Sequence, residues 1–98
     1  DPVYLEAAQT LAQTMQKRGQ NPTQQLKEGY RLLTHQPVGN QNLVVLEKVY
    51  RNALAGYRKN PAEIDSLLRF TERKTPELAA LTVSANVLLN LDRVVTKE

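Results

Sequence analysis

The sequence predicts an all-α fold, a compact bundle of five helices with the last helix central. Three observations carry this. Apolar residues recur at three- and four-residue spacings along most of the chain, and no run shows the period-two alternation of a strand. Pro2, Pro22, Pro61 and Pro76 each follow an Asp, Asn or Thr where a helical pattern opens, and the fifth proline, Pro37, follows a predicted stop. The stretch from Leu78 to Leu91, LAALTVSANVLLNL, contains no Lys, Arg, Asp or Glu in a chain that is 23% charged. A helix apolar nearly all round needs neighbours on several sides, which places it in the middle.

Each element has its own signals. Asp1 and Pro2 open the first helix, in which Tyr4, Ala8, Leu11 and Met15 form the apolar stripe and Gln9, Gln13 and Gln16 lie off it. Lys17 and Arg18 close it, and Gly19 supplies the positive φ that a helix terminus often requires. Asn21 and Pro22 start the second helix with Gln24 as a capping-box partner. Leu26, Tyr30 and Leu33 form its buried edge, and Gly29 leaves room for close approach of another helix. The helix stops near Thr34; His35, Gln36 and Pro37 leave helical geometry, and Gly39 allows the chain to re-enter. The third helix runs from Asn40 to Lys59 on Leu43, Leu46, Tyr50, Ala53 and Tyr57, with Val45, Val49 and Leu54 widening the face. Asn60, Pro61 and Glu63 open the fourth, whose Ile64, Leu67 and Leu68 face inward, joined by Phe70. Thr75, Pro76 and Glu77 open the fifth, with Leu78, Leu81, Ala85, Leu88 and Asp92 along one stripe and Val83, Val87, Leu89 and Leu91 on other faces.

At 98 residues the chain is a single helical domain, residues 1–98, large enough for a modest core. No apolar run is long enough to span a bilayer, so no membrane insertion is expected. It opens at Asp1 without an initiator methionine, so a longer parent polypeptide is expected. The net charge of +3 raises nucleic acid as a partner, but Lys17, Arg18, Arg31, Arg58, Lys59 and Arg93 fall in the last turns of helices. There they complement the negative end of the dipole. A helix-turn-helix built from the second and third helices would have Lys27, Arg31, Lys48 and Arg51, but its turn from His35 to Gly39 is long. Its third helix starts with Asn40, Gln41 and Asn42 and offers no Arg for a guanine edge, so no specific nucleic acid is expected.

No catalytic, cofactor-binding or metal-binding residue is identified. Cysteine is absent, and with it any thiolate metal site or C-x-x-C-H haem attachment, so no cofactor is expected in this chain. His35 is the single histidine and reads as the residue that ends the second helix. Glu6, Glu28, Glu47 and Glu63 are isolated in sequence on expected solvent faces, Ser66 and Ser84 lack a framing motif, and the tyrosines sit on apolar stripes. The polar end of the last helix does carry an expectation. An anion there meets the negative end of the dipole, so Asp92 needs compensation, either from Arg31 or from free N–H groups at the start of the third helix. With Asn90 in the same corner, Asn90, Asp92 and Arg31 are expected to form a structural tie.

The opening DPVYLEAAQTLA, the corner YRLLTHQP and above all ELAALTVSANVLLNLD resemble the C-terminal PSD-one domain, a domain of unknown function, of planctomycete-type cytochrome-associated secreted proteins. The likeness covers almost the whole chain. It implies the C-terminal domain of a larger protein that is periplasmic, cell-surface or extracellular, with c-type haem, where present, in another domain. It further implies a non-catalytic domain that packs against other domains of the same polypeptide. The alternative is a domain that contributes part of the active site of a haem-linked oxidoreductase or polysaccharide-processing enzyme. An exposed apolar patch would support the first reading, and a polar pocket joining several elements the second.

Overall fold

The computed structural model describes the backbone of residues 2–69 and 71–96 and the side chains of residues 5–69 and 71–91. Among these residues there are five helices and no strand: α1 (Pro2–Arg18), α2 (Pro22–Thr34), α3 (Asn40–Lys59), α4 (Ala62–Leu67) and α5 (Pro76–Thr96). Asp1, Phe70 and the side chain of Tyr4 lie outside the described residues.

Local chemistry explains most helix ends. Asn21 Oδ1 accepts the Gln24 N–H at 2.9 Å, while Gln24 Oε1 accepts the Gln20 N–H at 3.1 Å, one residue ahead of the expected capping-box donor. At α5, Thr75 Oγ1 accepts the Leu78 N–H at 3.1 Å. The box expected at α4 does not form. Asn60 is already engaged as the C-cap of α3, its N–H bonded to the Gly56 carbonyl, so Pro61 takes the N-cap position without a side-chain bond.

The glycine expectations divide. Gly19 does not take a positive φ, and the residue that does is His35, at φ 60 and ψ 21, whose N–H closes α2 on the Arg31 carbonyl at 2.8 Å. Gly19 is needed for room instead, since a Cβ there would lie 2.5 Å from the backbone nitrogen of Gln25. Gly29 allows the close approach expected of it, because a Cβ would lie 2.7 Å from Met15 Sδ and 2.9 Å from Leu88 Cδ1, where α1, α2 and α5 meet. Gly39 has an ordinary extended φ of −76 at the cap of α3, so re-entry does not require glycine there.

Helix α5 packs against all four other helices. It supplies Leu78, Ala79, Ala80, Leu81, Ala85 and Leu88 to the buried core, more than any other element. Ala8, Ala12 and Met15 come from α1, Leu26 from α2, Leu46 and Tyr50 from α3, and Ile64 and Leu68 from the α4 segment. The small residues of α5 let its neighbours come close on several sides. Its buried Thr82 and Ser84 hydroxyls donate back to the Leu78 and Ala80 carbonyls at 2.8 and 2.9 Å, so neither needs a polar neighbour. Arg58 pairs with Glu77 at 3.3 Å, tying the end of α3 to the start of α5. The radius of gyration, 12.6 Å, is that of a tightly folded chain of this length. No helix among the described residues is long and apolar enough to cross a membrane.

Candidate functional site

Two surfaces stand out once the core is removed from consideration. The first arises from side chains that the apolar pattern misplaced. Val45 and Leu91, expected to face inward, are 56% and 44% exposed. On α3, Glu47 faces α2, where it accepts the Thr23 hydroxyl at 2.6 Å, and Leu46 and Tyr50 face α5. Helical geometry then puts Asn42, Val45, Val49, Asn52 and Gly56 on the flank away from α2. On α5, helical geometry sets Val83, Asn86, Val87, Asn90 and Leu91 along one side. The combined face is half-buried or exposed and carries no charged residue.

The second surface is a groove of about 690 Å³ between α1 and the connector that precedes α5. Gln13, Gln16 and Lys17 line it from α1, Thr71, Glu72 and Arg73 from the connector, and the buried Leu78 forms its floor. Gln13 and Gln16 continue a row begun by Gln9, which is only 2% exposed. The glutamines lie off the apolar stripe, and Gln9 is nonetheless buried while Gln13 and Gln16 are half-buried. Helix α1 is enclosed on two sides, and its second inward face is polar.

The residues of the expected tie are placed as follows. Arg31 is exposed and forks onto Glu28, with Nε and Nη2 donating to the two carboxylate oxygens at 3.0 and 2.9 Å. Asn90 is exposed, and its amide donates to the Asn86 carbonyl one turn earlier at 2.9 Å. The side chain of Asp92 lies outside the described residues, though its backbone is inside α5, which continues to Thr96. Glu28 is not isolated as expected. It is half-buried and also lies 3.8 Å from Arg18, joining α1 to α2, and the Arg31 hydrogen bond holds its carboxyl below the usual range.

Among the described residues no group of three or more His, Cys, Asp or Glu side chains could hold a metal ion. His35 is exposed beyond the end of α2, and the Ser84 hydroxyl is spent on its own helix. Tyr50 is buried and Tyr30 and Tyr57 are half-buried, in keeping with the core positions expected of them. Compared with known protein families, curated proteins and solved structures, the chain shows no match.

Proposed function

We propose that the chain is a non-catalytic helical domain that packs, through the uncharged face of α3 and α5, against other domains of a larger secreted or envelope protein. The observation that carries this reading is that Val45 and Leu91, 56% and 44% exposed, each lie in a helical row free of charge. Charged residues make up 23% of the sequence, and their exclusion from one face is what a surface destined for burial requires. The four asparagines on the rows, Asn42, Asn52, Asn86 and Asn90, can each donate and accept at the rim of such a contact. The resemblance to the PSD-one domain supports the setting, a C-terminal position in a periplasmic, cell-surface or extracellular protein.

Hydrogen exchange tests the proposal directly. Amides around Val45 to Asn52 and Val83 to Leu91 should exchange more slowly in the full-length gene product than in the 98-residue chain. Val45→Asp with Leu91→Asp should abolish that difference while leaving the isolated chain folded. Equal exchange in the two proteins would reject docking through this face. A second reading, a contribution to the active site of a haem-linked oxidoreductase or polysaccharide-processing enzyme, is favoured by the polar groove alone.

A further inference from the structure

The groove between α1 and the connector combines groups that the fold itself leaves unused. Gln13 and Gln16 are half-buried, yet among the described residues neither amide makes a hydrogen bond. Thr71 accepts the Arg73 N–H at 3.3 Å through Oγ1 and keeps its own hydroxyl proton to donate. Lys17 and Arg73 have no ion-pair partner among the described residues. By contrast, Arg31, Arg58 and Lys74 all stand within 4 Å of a carboxylate. The groove gathers these groups around one concavity, the kind of place where convergent polar side chains hold a small molecule.

We propose that this groove binds a small anion rich in hydroxyl groups, such as a sugar acid. Lys17 and Arg73 supply two positive charges against the single carboxylate of Glu72, so the lining favours one negative charge on the ligand. The two glutamine amides each offer donors and acceptors, and the Glu72 carboxylate accepts, which matches the alternating needs of vicinal hydroxyls. A volume of about 690 Å³ is ample for a molecule of this size. Leu78 lies near the start of α5 and Leu91 thirteen residues along it, about 20 Å away. The groove is therefore separate from the docking face, and binding here does not depend on docking there.

The test is a titration of the isotope-labelled chain with D-gluconate, followed by amide chemical shifts, with acetate and D-glucose at matched ionic strength as parallel arms. Gluconate should give saturable shifts centred on Gln13, Gln16, Lys17 and Thr71 to Arg73, with an affinity about tenfold or more above either control. Lys17→Gln with Arg73→Gln, both exposed positions, should weaken gluconate about tenfold or more while leaving the chain folded. Gln13→Ala should weaken gluconate while leaving the acetate response unchanged. Shifts that never saturate, an equal response to acetate and gluconate, or an unchanged affinity in the double variant would each overturn the proposal.

Discussion

Gly19 and Gly56 look alike in sequence, each near a helix end beside basic residues, but their surroundings make opposite demands. At Gly19 a Cβ would press on backbone atoms of Gln25 at 2.5 and 2.7 Å, and backbone at the start of α2 cannot swing aside as a side chain can. Gly19→Ala should therefore destabilise the fold by about 1–3 kcal/mol, as overpacking does elsewhere. At Gly56, inside α3, nothing lies within 4 Å of the added carbon. Gly56→Ala should stabilise by about 0.5–1 kcal/mol, the cost of glycine's freedom in a helix interior. Urea denaturation of the two variants decides both, and equal midpoints would show that the close approach at Gly19 is not held in solution. His35 makes the same point from the other side. Its left-handed backbone is tolerated because histidine is among the residues that enter this region more readily than most, and the Arg31 carbonyl anchors its N–H.

At the scale of elements, α5 is where sequence and structure agree most closely. Leu88 is 2% exposed and touches the space vacated by Gly29, so Leu88→Ala should cost about 2–5 kcal/mol. Calorimetry showing a loss under about 0.5 kcal/mol would mean that the α1–α2–α5 junction collapses to fill the gap. The agreement has a physical source. The caps at Asn21 and Thr75, the stop before Pro37 and the absence of charge along α5 are local properties, legible without knowing the neighbours. What was not legible depends on the neighbours. Gln9 is polar and lies off the apolar stripe of α1, yet it is buried with Ala8 and Ala12. Val45 fits the apolar count of α3, yet it is 56% exposed. Apolar periodicity reports which residues can be buried, and contact with other elements determines which of them are.

For the molecule as a whole, stability against pH should follow groups that link elements. Glu28 bridges α1 and α2 through Arg18 and Arg31, and its folded pKa is depressed, first by the hydrogen bond from Arg31. Its contribution is present above the unfolded carboxylate pKa and is lost as the pH falls through the lower folded value; exposure to solvent keeps it small. The alkaline side rests on the core. Tyr50 and Tyr57 have pKa values raised above the ordinary 10.0, first by burial, and at Tyr50 also by the carboxylate of Glu77. A raised tyrosine pKa means that the folded state holds the phenol proton more tightly than the unfolded chain does. The stabilisation is complete below the unfolded value and disappears as the pH climbs through the folded one. The melting temperature should therefore decline from about pH 10 upward. Lysines titrate in the same range, so the comparison that isolates the tyrosine is Tyr50→Phe. That variant should lose less of its melting temperature between about pH 9 and pH 11 than the parent chain, because the unfolded parent alone gains a phenolate at residue 50. The phenolate absorbance band gives a second reading, since one tyrosine fewer should ionise late in the variant. If Tyr50→Phe and the parent decline in parallel, Tyr50 is more open to water than its 5% exposure implies, and the α3–α5 contact it anchors is looser than its burial shows.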